Sequence, residues 1–139
     1  MIILDTNVLS ELMKPETERA VERWTATQRA DSLYVTSITQ AEILHGILLL
    51  PQGKRRLALE GAAAAMFAED FGERILPFDS EAARHYAEIA VARRRTGRPI
   101  SHFDAQIAAI AKVNGATVST RNVDDFAGCG VKLVNPWVA

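Results

Sequence analysis

Short runs of apolar and β-branched residues recur along the chain at 2–4, 33–36, 75–78, 116–120 and 131–134, and longer helix-forming stretches separate most of them. That alternation is the strongest constraint on the fold, because parallel strands must be joined by crossovers of a dozen or more residues, usually helices. It predicts an α/β domain: a mostly parallel central sheet of about five short strands flanked by helices. The first run, Ile2-Ile3-Leu4, is apolar without a break, the pattern of a central strand buried on both faces. Pro77 cannot donate to a ladder, so the third run belongs at an edge or at a strand end.

Between the strands, a brief helix through Val8, Leu9 and Leu12 is expected to stop before Pro15, since the residue preceding a proline is pushed out of the helical region. Glu16 to Thr27 reads as the next helix, with Ala20, Val21 and Trp24 at helical spacing. Ser37 with Gln40 gives a capping-box signature for a helix to Leu49, its inward stripe being Ile38, Ala41, His45 and Leu48. Leu57 to Phe71 is rich enough in Ala and Leu to propagate a helix to Gly72. Asp79 or Ser80 caps a further helix with Ala83, Tyr86, Ala87, Ala90 and Val91 inward, closed by Gly97 and Pro99. Ser101 opens the last, apolar at Ile107, Ala108 and Ala111 and ending near Gly115.

The 139 residues form one domain, 1–139, with no repeat or linker dividing them. Sixteen Lys and Arg against seventeen Asp and Glu exclude a generally basic, RNA-coating protein. The single Cys129 cannot form an internal disulfide, which suits a reducing cytoplasm. Asp5 interrupts the N-terminal apolar stretch and no basic region precedes it, unlike a signal peptide. The apolar runs fall well short of the roughly 20 residues that cross a bilayer, so a soluble cytoplasmic protein is expected.

In open parallel sheets ligands bind beyond the carboxyl ends of the strands, so polar residues just after each strand are the functional candidates. Asp5 ends the first strand. Glu42 lies in the helix after the second, Asp104 near the start of the helix opened by Ser101, and Asn122, Asp124 and Asp125 follow the fourth. Each alone has a structural role open to it: Asp5 as a helix cap, Asp104 in a capping box with Ser101, Glu42 paired with His45. Three carboxylates converging on one end of a sheet are a different matter. They raise one another's pKa unless a divalent cation neutralises them, and oxygen-only donors select a hard ion, Mg²⁺ or Mn²⁺. Such a centre lowers the pKa of bound water and offsets phosphoryl charge, which is metal-assisted phosphodiester hydrolysis.

The stretches ILDTNVLSE, TSITQAEILHG, SHFDAQIAAIA and STRNVDDF, in that order and ending in NPW, resemble the PIN-domain ribonucleases, specifically the VapC-type toxins of bacterial toxin-antitoxin pairs. The resemblance spans essentially the whole chain. It implies a PIN-like three-layer α/β fold, Mg²⁺- or Mn²⁺-dependent endoribonuclease activity, a homodimer, and a small VapB-like antitoxin that blocks the site. Asp5, Glu42 and Asp104 match the first three metal-binding acids of the family. Where many PIN domains carry a fourth acid this chain has Asn122, so a second metal would be held more weakly; Asp124 or Asp125 could substitute, although Asp125 is also placed to cap a short helix containing Phe126.

Arg93, Arg94, Arg95 and Arg98 lead directly into the Asp104 segment and are candidates to hold the RNA backbone, whereas Lys54, Arg55 and Arg56 read as solvated surface. Trp24 and Trp137 suit core or interface anchoring better than base stacking. An apolar surface at Leu9, Leu12 and Met13 is a candidate groove for an antitoxin segment. A haloacid-dehalogenase phosphatase would need an acid where Asn7 stands, and a receiver domain would need paired acids after the first strand. The remaining alternative to a nuclease is a PIN-like scaffold that binds RNA or a partner without cutting, since Asn122 weakens the acid set.

Overall fold

The computed structural model describes residues 1–139. Five strands, β1 (Ile2–Leu4), β2 (Leu33–Thr36), β3 (Ile75–Leu76), β4 (Thr117–Ser119) and β5 (Lys132–Val134), form one sheet in the order β3-β2-β1-β4-β5. All pairings are parallel, with Ile2 opposite both Leu33 and Thr117, Val35 opposite Ile75, and Thr117 opposite Lys132. β1 is central and β3, with Pro77 just beyond it, is an edge, as the sequence predicts.

Six helices cover the two faces: α1 (Thr6–Leu12), α2 (Arg19–Ala26), α3 (Ser37–Leu48), α4 (Lys54–Ala65), α5 (Ser80–Arg95) and α6 (His102–Asn114). Side chains alternate across β1, and the core divides accordingly. Ile3 and Val118 point to α5 and α6, where Ile89, Ile107, Ile110 and Phe126 bury them. Leu4, Leu33 and Val35 point the other way, onto Val8, Val21, Trp24, Ile43 and Phe67. No helix is long and apolar enough to cross a membrane.

Three expectations are corrected. The cap of α3 is Thr36, whose hydroxyl accepts from Thr39 N–H at 3.1 Å, and the buried stripe is Thr39, Ile43 and Ile47; Ala41, His45 and Leu48 are exposed. Apolar residues run almost all round α3, so spacing alone selects no face. In α5 the buried residues are Ala82, Ile89 and Arg93, while Ala83, Ala87 and Val91 are exposed. Its alanines fit any face equally; the long side chain of Arg93, bonded to backbone carbonyls, decides the matter. The stretch expected as one helix to Phe71 begins earlier, at Lys54, and changes over Met66–Phe71 to π-type turns that bury Phe67 and Phe71.

Connectivity places the candidate site. From β1 the chain builds outward through β2 to β3, then returns to add β4 and β5 on the other side. The reversal opens a crevice at the carboxyl ends of β1 and β4, the usual ligand position in such sheets. α1 and α3 start directly from the carboxyl ends of β1 and β2, and α6 runs back toward the start of β4, so its N-terminus lies at the same edge.

Candidate functional site

Asp5 directly follows β1, and its N–H donates to Ser119 O at 2.9 Å, extending the β1–β4 ladder by one bond. Its carboxylate is buried and fixed on both oxygens. Oδ1 accepts from Thr6 N–H at 2.8 Å, which caps α1; Oδ2 accepts from the Thr120 hydroxyl at 2.8 Å and from Asn7 Nδ2 at 3.0 Å. The capping role and the site role therefore belong to the same side chain.

The next two residues tie that carboxylate to the rest of the site. The Thr6 hydroxyl donates to Glu42 Oε1 at 2.8 Å and lies 2.9 Å from the Thr39 hydroxyl, so Glu42 is held by Thr6 and not by His45. Asn7 Oδ1 accepts from Arg121 N–H at 3.1 Å, and Thr120 Oγ1 accepts from Asn122 N–H at 3.1 Å. Thr6, Asn7 and Thr120 join the candidate site through these bonds and are missed by a search for acids alone; the signal is the DTN tripeptide at a strand end and the Thr that follows β4.

Asp104 occupies the first turn of α6, where its N–H donates to the Ser101 hydroxyl at 3.1 Å. Burial pushes the carboxyls of Asp5, Glu42 and Asp104 above the usual range, and the three add to one another's effect: Glu42 on Asp5, Asp104 on Glu42, and Asp5 with Asp125 on Asp104. Hydrogen bonds from Thr120, Thr6 and Asn7 oppose the shift at Asp5.

These donors fit a hard divalent cation in chemistry: carboxylates only, partly desolvated, and repelling one another. They do not form a closed shell as they stand, since no three His, Cys, Asp or Glu side chains converge at metal-binding distances. Asp5 is immobilised by its bonds, whereas the Glu42 carboxylate has one bond, from Thr6, and the Asp104 carboxylate is opposed in its shift by the Ser101 hydroxyl alone among hydrogen-bonding side chains.

The arginines separate sharply. Arg94, Arg95 and Arg98 are exposed, but Arg93 is 7% exposed. Its Nε donates to Arg98 O at 2.7 Å and its Nη1 to Asp125 O at 2.7 Å and Ala127 O at 3.0 Å. Arg93 is thus a structural clamp and not an RNA contact, a role that a charge count cannot reveal. Asn122 precedes a 3₁₀ turn, Val123–Phe126, without capping it by its side chain, and Asp125 lies inside that turn and is not its cap. Trp24 is buried in the core; the ring of Trp137 carries the Arg121 guanidinium 4.9 Å from its centre.

Leu9 is buried in the core and does not face a groove. A groove of about 640 Å³ does open beside it between α1, α3 and α4, apolar at Met13, Pro15, Ile43, Ile47, Leu50 and Leu59. Thr6 and Glu42 also line it, with Lys14 and Arg55 as its cations. Arg55, expected as plain surface, therefore shares a groove with a site carboxylate.

A parallel sheet with acids gathered at its switch point defines a class, and the comparisons with known proteins agree: the PIN domain model matches residues 2–128, and the chain belongs to the PIN-domain family. It is similar to a VapC ribonuclease of Sinorhizobium fredii, with 39% identity over 99% of this chain and 98% of that one. It is also similar to the toxin FitB of Neisseria gonorrhoeae, with 37% identity over 99% of both chains. The crystal structure of FitAcB from Neisseria gonorrhoeae superimposes with a TM-score of 0.94 at 37% identity, covering 100% of each chain. The VapC-type resemblance and the PIN-like α/β fold expected from sequence are both borne out.

Proposed function

We propose that the chain is the toxin of a toxin-antitoxin pair, a metal-dependent endoribonuclease in which Asp5, Glu42 and Asp104 hold Mg²⁺ or Mn²⁺. The observation that carries this reading is the Asp5–Thr6–Glu42 arrangement: one tripeptide fixes a buried carboxylate through Thr6 N–H and a second carboxylate through the Thr6 hydroxyl. A fold seldom places acids in this way, unpaired and partly desolvated, unless the charge has a use.

The reaction is hydrolysis of a phosphodiester. Water adds in line to phosphorus, the 3′-oxygen leaves and takes up a proton, and the products are a 3′-hydroxyl and a 5′-phosphate. A bound hard cation supplies water of lowered pKa and offsets charge on the phosphoryl oxygens. Asp5 provides the rigid donor, its orientation set by Thr120, Asn7 and Thr6. Glu42, held by Thr6 through Oε1, and Asp104, from the first turn of α6, would add the further carboxylate donors. Arg94 and Arg98, both exposed, would hold the strand flanking the scissile bond, whereas the buried Arg93 would not.

A short antitoxin segment entering the groove beside α1 would run toward Glu42 and Thr6 and block the acids, with Lys14 and Arg55 selecting acidic side chains in it. Pairing of two such chains as a homodimer and action in the cytoplasm belong to the same reading. Incubating the purified chain with structured RNA tests it: cleavage is expected with Mg²⁺, none with EDTA, and recovery when Mg²⁺ is restored in excess. RNA bound but uncut under all three conditions would favour the scaffold reading instead.

A further inference from the structure

The turns that follow β4 and β5 meet beside the site and hold a cation that the acids do not engage. Thr120 N–H donates to Val134 O at 2.9 Å, one bond beyond the β4–β5 ladder, so Arg121 and Asn135 leave the sheet together. Asn135 organises both turns. Its Nδ2 donates to Arg121 O at 3.3 Å, and its Oδ1 accepts from Trp137 N–H at 2.9 Å, the local bond by which Asn favours turns. On the other side Arg121 N–H donates to Asn7 Oδ1 at 3.1 Å, while Nδ2 of the same amide donates to Asp5 Oδ2. The Arg121 backbone is thus fixed one side-chain amide away from the central carboxylate.

Its side chain is exposed, and the guanidinium lies over the indole of Trp137, 4.9 Å from the ring centre. Trp137 is half-buried against the core with Nε1 buried, so the ring is a fixed platform. A cation over an aromatic face is held without using its N–H groups, which stay open to a ligand. The hydrogen bonds at Arg121 end on its backbone, and the ion pairs of the chain are formed by other residues. Glu11, held below its usual pKa first by Glu18 N–H, then by Lys14 and least by Arg121, already has its partners at 3.1 Å and 3.0 Å. The apolar groove beside α1 is lined by other residues, with Lys14 and Arg55 as its cations, so Arg121 lies outside it. We propose that Arg121, seated on Trp137, holds a backbone phosphate of the RNA strand flanking the scissile bond, its planar fork bidentate on the phosphate oxygens. The inference rests on the ribonuclease reading above, and it makes Asn135 and Trp137 positioning residues that aim this arginine.

Binding of a fluorescently labelled RNA hairpin to the full-length chain in EDTA, read by anisotropy over a range of salt, tests the contact. Arg121→Ala is expected to weaken binding about tenfold at low salt and to lower the salt slope by roughly one, equally for two hairpins of unrelated sequence. The bonds to its backbone remain, so the variant should keep the wild-type melting curve. Trp137→Leu should weaken binding in the parent chain and add nothing in the Arg121→Ala chain, whereas a tryptophan that only supports the fold would act alike in both. Arg29→Ala, which removes an arginine paired with Asp31 at the opposite end of the sheet, should leave affinity and slope unchanged. Arg121→Ala binding RNA like wild type, while the wild-type chain cuts RNA with Mg²⁺, overturns this inference and leaves the nuclease reading standing. Unchanged RNA binding with weakened binding of an acidic peptide makes Arg121 a protein contact and overturns it too, as does an equal loss in Arg29→Ala. A wild-type chain that needs Arg121 to bind RNA but never cuts it supports the contact and overturns the nuclease.

Discussion

Thr120→Val probes the site with the least change in shape, since valine replaces the hydroxyl by a methyl of similar volume. Thr120 is fully buried, and its hydroxyl donates to Asp5 Oδ2 at 2.8 Å while accepting from Asn7 Nδ2 at 3.3 Å and from Asn122 N–H at 3.1 Å. A hydrogen bond to a charged group contributes about 1.5–3 kcal/mol, and a neutral one about 1 kcal/mol. Asn7 keeps its bond to Oδ2 and the exposed Asn122 can turn to water, so the loss at neutral pH should be about 2–3 kcal/mol. The sign of its pH dependence follows from Asp5, whose carboxyl burial holds above the usual range and whose bond from Thr120 opposes that shift. A carboxyl with a folded pKa above its unfolded value is most favourable to folding below the unfolded value, and loses that advantage as pH rises to the folded one. Removing the Thr120 hydroxyl raises the folded value further. The variant should therefore lose more than wild type between acid and neutral pH, and its deficit should shrink to about 1 kcal/mol in acid, where Asp5 is protonated. Urea unfolding in EDTA at about pH 4 and pH 7.5 measures both deficits; equal deficits, or a larger one in acid, would refute the assigned role of Asp5.

Other perturbations follow from the same bonds and charges. Asp104→Asn removes a partly buried charge that repels Asp5, Glu42 and Asp125, so in EDTA it should unfold at slightly higher urea than wild type near neutral pH, with a shallower fall in stability from acid to neutral. Mn²⁺ at about 100 times its dissociation constant should stabilise wild type by about 2.7 kcal/mol, read as a rise in melting temperature that Asp5→Asn abolishes. Arg98→Ala with Arg94→Ala should weaken RNA binding and flatten its dependence on salt, the slope falling by roughly one for each phosphate no longer neutralised. Arg93→Met should instead lower stability, by about 2–4 kcal/mol, because it removes a buried guanidinium and strips donors from the partly buried carbonyls of Arg98, Asp125 and Ala127.

Much of this molecule can be read from its sequence where one residue type has one dominant use. Ile2-Ile3-Leu4 ending in Asp5, the proline after β3 and the glycine after α6 each constrain the backbone strongly, and the strands, the central place of β1, the edge place of β3 and the end of α6 follow. Gly115 does stand in the left-handed region at φ 62°, ending α6 as expected. Helix faces are less legible. α3 is apolar on nearly every side and α5 is padded with alanine, so the face that packs is chosen by partners distant in sequence. Polar residues divide in the same way. Asp5, Glu42 and Asp104 stand out because a buried acid demands explanation, but Thr6, Asn7 and Thr120 look like ordinary turn residues until β1, β4 and α3 meet. Arg93 misleads most: charge suggests surface, whereas a guanidinium that finds backbone carbonyls can be a core residue.

The most direct test of the metal-dependent nuclease is the single-turnover rate of RNA cleavage in saturating Mg²⁺ for wild type and Asp5→Asn, with folding of the variant verified by its melting curve. The neutral amide keeps the size of the buried carboxylate and removes its charge. A folded Asp5→Asn chain that is slower by more than about a hundredfold supports Asp5 as a metal-holding group at the centre of the site. One that cuts RNA at the wild-type rate, with the same need for Mg²⁺, contradicts it.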